Sequence, residues 1–328
     1  MTDLREKSPK PTLRHRHSAG QIAFAAMSVF SLALILRNSE IAIAQMAGGL
    51  KLCVTTVIPS LFPFMILSEL IVASGAARAA GRLLRKPFRA LFGIEGESGC
   101  AVLLGFCCGF PVGTRCALSL YDSGRIDREE LSFLLTFSNN PSSAFLISAV
   151  GATLFGNRSF GIQLYLITLL SAALTGIVGN RLRRKKGGNR SPSETPIPAP
   201  RPQGISAFTD AVSSSALAML RICAFVVFFS AFLGTLESLV CGLDLPETVS
   251  AVIVSFFEMT GGVSRSAVCP SPAAEAICAF AVGWSGLSVH FQMMSLCENR
   301  PVSFRPYFLA KLAQGILNVL LLLLVRMR

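Results

Sequence analysis

Charge is what this 328-residue chain has least of: 15% of its residues are charged against 52% apolar, with a mean hydropathy of +0.58. So little charge favours a polytopic membrane protein over a soluble domain, in which about a quarter of all residues are charged. The charged residues also cluster, leaving apolar stretches of about 17–25 residues, enough to cross a bilayer core. Paired cysteine motifs are missing. The ten cysteines form no paired CxxC sets and no Cys/His cluster, so neither a metal centre nor a disulfide framework is expected. Catalytic motifs are missing too: there is no GxSxG elbow, no HExxH, no pair of membrane aspartates and no GxxxxGK[ST]. Enzymatic activity and a cofactor are therefore not expected, and coupling to ATP would need another subunit. There is no cleavable signal peptide pattern, because Met1–His17 is a polar arm and the apolar stretch after it lacks a small-residue cleavage site.

What the chain does have is basic charge, +12 net, placed in the loops between apolar segments. No aromatic-basic face accompanies it, so nucleic acid is not expected and the positive-inside bias is the simpler cause. The expected fold is all-α: a polytopic membrane protein, built as an inverted-repeat, transporter-like bundle with two re-entrant hairpins and broken helices. Its parts are a basic cytoplasmic arm (1–18), a first membrane helix (19–37), a first repeat (45–180), a basic Pro/Gly-rich linker (181–205) and a second repeat (206–328).

Counting crossings fixes the hairpins. After the first helix, the segment from about Gln45 to Gly75, kinked by Pro59 and Pro63, returns the chain to the basic loop Arg78–Arg89. If Ser98–Tyr121 and Glu129–Phe155 both crossed, Phe160–Gly179 would deliver the densest basic cluster, Arg181–Arg190, to the outside. One crossing must go. Ser98–Tyr121 can fold at Gly109-Phe110-Pro111-Val112-Gly113 into a re-entrant hairpin with arms of about ten residues, too short to span. The loop 122–128 is then cytoplasmic. In the second half, Ser206–Val240 leads to an acidic loop with Asp244 and Glu247, Thr248–Cys269 breaks at Thr260-Gly261-Gly262, Ala273–Leu296 breaks at Gly283–Gly286, and Phe304–Val325 is the last span.

The halves share a plan. Leu50-Lys51-Leu52-Cys53 matches Leu220-Arg221-Ile222-Cys223, and Ser60 and Phe62 match Ser230 and Phe232 at the same offset. An odd number of crossings per half inserts the second copy upside down, which would put a binding site at the repeat interface; the alternative is chance similarity of apolar segments.

The breaks supply the candidate solute- or ion-binding residues. Gly109, Pro111, Gly113 and Thr114 stand at the first, where helix ends can face a polar solute or merely kink a helix for packing. Asn139, Asn140 and Ser142 flank Pro141 and offer donors and acceptors to a solute or to a neighbouring helix. Glu258, beside Thr260 and Gly261, is the first-ranked acid: protonated, cation-coordinating, or paired with Arg115 or Arg265. Ser285, His290 and Gln292 follow the fourth break, His290 being either a packing residue or a proton relay. Glu69 and Glu237 fall near helix ends as interfacial residues.

Four stretches, Gly105–Gly113, Leu135–Ser142, Glu258–Gly262 and Ser285–Gln292, together resemble the YlbJ-type sporulation integral membrane proteins. These are grouped with the nucleoside-recognition, or Gate, domains, which include the membrane gates of ferrous-iron transporters and are similar to concentrative nucleoside carriers. The chain departs from the usual pattern at Phe110, where a smaller or tyrosine side chain is common, and at Ser138, where Cys is frequent. The resemblance implies a bacterial inner-membrane protein of transporter-like architecture, linked to spore cortex formation, and no particular solute; the cytoplasmic N-terminus is expected from the positive-inside rule applied to the basic arm. The expected partners are the lipid bilayer, a small polar solute and a coupling cation, with homo-oligomers or envelope-assembly proteins beyond them. The competing expectation is a non-transporting scaffold for envelope or cortex assembly.

Overall fold

The computed structural model describes residues 19–74, 76, 79, 85–94, 97–185, 204–241 and 245–327. The basic arm, Arg78 and Arg82, most of the linker and Asp244 lie outside these residues. The described chain is helical throughout: α1 Ala19–Arg37, α2 Ser39–Leu52, a π-helical turn Cys53–Val57, α3 Ile58–Ala73, α4 Arg85–Phe92, α5 Ser98–Cys107, α6 Val112–Asp122, α7 Arg128–Leu135, a π-helical segment Phe145–Leu154, α8 Arg158–Lys185, α9 Gly204–Cys241, α10 Glu247–Phe257, α11 Met259–Ser266, α12 Ala273–Trp284, α13 Gly286–Leu296 and α14 Phe304–Arg326.

Among the described residues, α8, α9, the α12–α13 pair and α14 are long and apolar enough to cross a bilayer, and α1 with α2 forms a further candidate bent by 100°. Their polarity is inverted relative to a soluble helix. On α14, Leu309, Leu312, Ile316, Leu320 and Leu323 are exposed while Tyr307, Lys311, Gln314 and Asn318 are buried. An apolar outer stripe over a polar inner one fits a lipid surroundings, where nothing outside the bundle can satisfy a polar group. The protein is a multi-pass, all-α membrane protein in contact with lipid.

Both hairpins form. α5 and α6 pack antiparallel, so closely that a Cβ on Gly113 would lie 2.5 Å from the Gly105 Cα and one on Gly105 would lie 2.1 Å from the Ser138 carbonyl oxygen. Their outer ends lie together, since Arg125, after α6, is ion-paired to Glu97, before α5. The reversal occupies Cys108–Pro111 rather than the whole of Gly109–Gly113: Gly109 has φ +76°, and Gly113 is already helical. The second hairpin, α10–α11, differs more from expectation. It turns at Glu258, whose backbone is extended, and Thr260, Gly261 and Gly262 lie in the first turns of α11. The cause is the cap: the Glu258 carboxylate accepts hydrogen bonds from the Thr260 and Gly261 N–H groups, which starts a helix where glycines alone suggest a break. The fourth interruption is likewise narrower than Gly283–Gly286, because only Ser285 (φ 72°) and Gly286 (φ 74°) leave helical geometry.

Ion pairs sort the loops into two faces. Arg300 donates to Asp122 at 2.8 and 2.6 Å, joining the α13–α14 and α6–α7 loops. Arg183, at the end of α8, lies 4.6 Å over the Phe133 ring of α7, and Asn180 bonds the Leu91 carbonyl of α4. This face gathers the basic residues of α4, of the α6–α7 loop and of the end of α8. At the opposite end, Arg326 closes α14 onto Glu275 at the start of α12.

Candidate functional site

The segments matched in sequence between the halves pack against each other. Gln45 and Gly49 of α2 abut Gly234 and Ser230 of α9, and the Cys53 thiol lies 3.8 Å from the Cys223 carbonyl, its own counterpart. As the number rises on one helix it falls on the other. Two matched segments therefore cross antiparallel at matched residues, the contact that a two-fold axis between inverted copies would produce.

The four helix interruptions converge in pairs on either side of this crossing. The first and second touch: the Phe110 N–H donates to the Asn140 carbonyl at 2.6 Å, and a Cβ on Gly109 would lie 2.5 Å from the Ser142 nitrogen. The third and fourth touch as well, with Gly286 against Glu258 and Met259 and the Trp284 Nε1 donating to the Phe256 carbonyl at 2.8 Å. Between the pairs lies a cavity of about 120 Å³. Phe110, Asn140, Pro141 and Ser142 line one side and Glu258, Met259, Thr260 and Ser285 the other; Val289 and Gln292 come from α13, and Leu52, Val57, Leu61, Ile222 and Val226 from the crossing helices. The walls are apolar with a few converging polar groups, and Glu258 is the one ionisable side chain among them. Its carboxylate caps the N-terminal end of α11.

Of the residues singled out in the sequence, Asn140, Ser142, Glu258, Thr260, Ser285 and Gln292 are brought together on this cavity. Gly109, Pro111 and Gly113 shape the hairpin that presents Phe110, and Gly261 supplies a capping N–H to Glu258. Thr114 is buried with no partner for its hydroxyl. Asn139 and His290 face away, into a second polar cluster behind the wall. There Asn139 Nδ2 donates to the Tyr307 hydroxyl at 2.8 Å, His290 Nδ1 lies 2.9 Å from that hydroxyl, and the His290 ring abuts Trp284 and Phe308 edge-on.

That cluster holds what the sequence reading passed over. Lys311 Nζ donates to the Asn139 carbonyl and to Gln314 Oε1, both at 2.9 Å, while Gln314 Nε2 donates to Asn140 Oδ1 at 2.6 Å. Deeper still, Asn318 accepts from Ser171 and donates to Thr168 and the Ala279 carbonyl. Tyr307, Lys311, Gln314 and Asn318 recur on one face at steps of four, three and four, a signal present in the sequence but hidden inside a segment read only as a span. The ion-pair alternatives for Glu258 are not realised, since Arg115 pairs with Glu69 and Arg265 with Glu237. Among the described residues no His/Cys/Asp/Glu group has the makings of a metal site, and the described cysteines are all free thiols.

No family model and no solved structure matches the chain. One curated protein does: the sporulation integral membrane protein YlbJ of Bacillus subtilis (strain 168), 29% identical over 339 residues, an alignment covering 93% of this chain and 82% of that protein. The likeness carried by four short motifs thus extends over nearly the whole sequence.

Proposed function

We propose that this protein is a carrier of a small polar solute, of the nucleoside-carrier or Gate type, working across the bacterial inner membrane. The observation that carries the reading is the cavity: residues from all four helix interruptions line one space at the crossing of the two matched segments. Interrupted helices expose backbone groups that hydrocarbon cannot satisfy, so their convergence at membrane depth is best explained by a solute or ion that uses them. The antiparallel crossing supports an inverted repeat, and the basic face, by the positive-inside rule, is the cytoplasmic one. At about 120 Å³ the space suits a compact solute, well below the ~300 Å³ at which drug-sized pockets begin. A nucleoside would have to widen it. The relative's name extends the proposal to a role in sporulation.

The test is a panel of small amines, amino acids, nucleosides and cations offered to purified protein in vesicles. Uptake of one class by the wild type, reduced at least tenfold in both Asn140→Ala and Glu258→Gln, is expected. Uptake untouched by either variant overturns the site. Folded protein that moves nothing in the panel, but holds envelope-assembly proteins in a stable complex, gives the chain to the scaffold reading instead.

A further inference from the structure

Lys311 lies seven residues inside α14, about 10 Å along the helix axis, with no solvent exposure. A lysine near a membrane surface ordinarily snorkels its charge to water. This one is held inward by two hydrogen bonds, and among the described residues it forms no ion pair. Its acceptors are both neutral oxygens. One is the Asn139 carbonyl, set free because residues 136–142 are unwound, and the other is the Gln314 side-chain amide. Carbonyl oxygens released by an unwound membrane helix, joined by side-chain oxygens, are the ligands that carriers offer to monovalent cations. Here two oxygens of that kind accept from an amine on a tether.

We propose that Lys311 fills a monovalent-cation site with its own ammonium, so that the protein orders its second helix interruption without sodium or potassium. The consequence reaches the cavity in two steps. By accepting from Lys311, Gln314 Oε1 fixes the orientation of its amide, and Gln314 Nε2 is then aimed at Asn140 Oδ1. Asn140 is itself a cavity wall, its own Nδ2 bound to the Phe137 carbonyl. Lys311 is thus a positioning residue for the wall that a solute would meet. Its description as a replacement for a coupling ion rests on the carrier reading; its description as a filled cation site does not.

The experiment reads ion occupancy without any solute. Thermal unfolding of detergent-purified wild type, Lys311→Ala and Lys311→Met is followed in sodium, potassium, methylammonium and choline chloride at one ionic strength. Wild type is expected to melt at one temperature in all four salts. Lys311→Ala is expected to melt several degrees lower in choline and to recover saturably in potassium or methylammonium, which re-enter the vacated oxygens. Lys311→Met, which fills the space without charge, is expected to respond to none. The proposal is overturned if sodium or potassium stabilises the wild type over choline, if Lys311→Ala ignores every small cation, or if Lys311→Met responds as Lys311→Ala does. Folded yield of Lys311→Ala is read in membranes prepared with and without methylammonium, so that a variant that folds in neither overturns it as well. Failure of the uptake panel alongside cation rescue of Lys311→Ala would leave the site standing and remove the carrier.

Discussion

Glu69–Arg115 and Glu237–Arg265 look like copies of one device. Each joins a long helix of its own half to the second arm of its own hairpin, the first on the arm leading to the basic face and the second on the arm leading to the opposite face. Their energies should nonetheless differ. Arg115 stands seven residues before the end of α6, its side chain 11% exposed, with further bonds to the Ser214 carbonyl and hydroxyl at 3.0 and 3.1 Å. Arg265 is one residue from the end of α11, 37% exposed, with one extra bond to Ser250. Removing one partner of a well-buried pair costs about 3–5 kcal/mol, because the other charge is left stranded, whereas exposed pairs are worth about 1 kcal/mol or less. Glu69→Gln and Arg115→Met should then each cost about 2–4 kcal/mol, and the double variant little more than the worse single one, giving a coupling near 2 kcal/mol. The same cycle at Glu237→Gln and Arg265→Met should give about 1 kcal/mol or less. Unfolding in mixed micelles can be followed by Trp284, the sole tryptophan, whose ring stacks on Phe256 at 5.2 Å between centroids. Equal couplings at the two sites, or one below about 0.5 kcal/mol at Glu69–Arg115, would refute the ranking by burial.

The remaining predictions concern packing and sidedness. Gly105→Ala places a methyl 2.1 Å from the Ser138 backbone oxygen and should cost about 3 kcal/mol or abolish the folded yield, whereas Gly48→Ala, with nothing within 4 Å, should gain about 0.5–1 kcal/mol from helix propensity; the same unfolding assay reads both. A cysteine at Glu129 should be labelled by an impermeant maleimide only from the side that also labels one at Glu298, and a cysteine at Glu247 only from the other side. Labelling of all three from one side would break the two-faced arrangement that the Arg300–Asp122 and Arg326–Glu275 pairs support.

Sequence exposed the interruptions because each is written in residues that helices reject or hydrocarbon penalises. Gly109 and Pro111 mark one, the two amides before Pro141 another, and Ser285-Gly286 a third. Where the reading shifted, a side chain had outvoted composition: Glu258 caps the helix that Gly261 and Gly262 seemed to end. Partners distant in the chain were out of reach, since nothing local tells Arg115 that Glu69 rather than Glu258 will stand beside it. Lys311 was missed for another reason. One charge among many leucines hardly alters a segment's hydropathy, and only the helical spacing of its polar neighbours shows that it faces inward.

In the proposed inverted repeat the two halves share a frame but not a charge distribution, and the difference bears on how the proposed site would work. At matching hairpin turns the first half has Gly109 and the second has Glu258. In matching last helices, α8 buries Thr168 and Ser171 while α14 buries Lys311 and Gln314. The ionisable groups described at the cavity and in the cluster behind it, Glu258, His290, Tyr307 and Lys311, come from the second half, whereas the first half supplies neutral amides and a released carbonyl: Asn139 to Lys311, Asn140 to the cavity. Charges held on one copy and neutral acceptors on the other make the polar contacts run between halves, as in Lys311 to Asn139 and Gln314 to Asn140. Any motion of one repeat against the other must break or remake those bonds, so a ligand that bridges Glu258 and Asn140 would act directly on the equilibrium between arrangements of the halves.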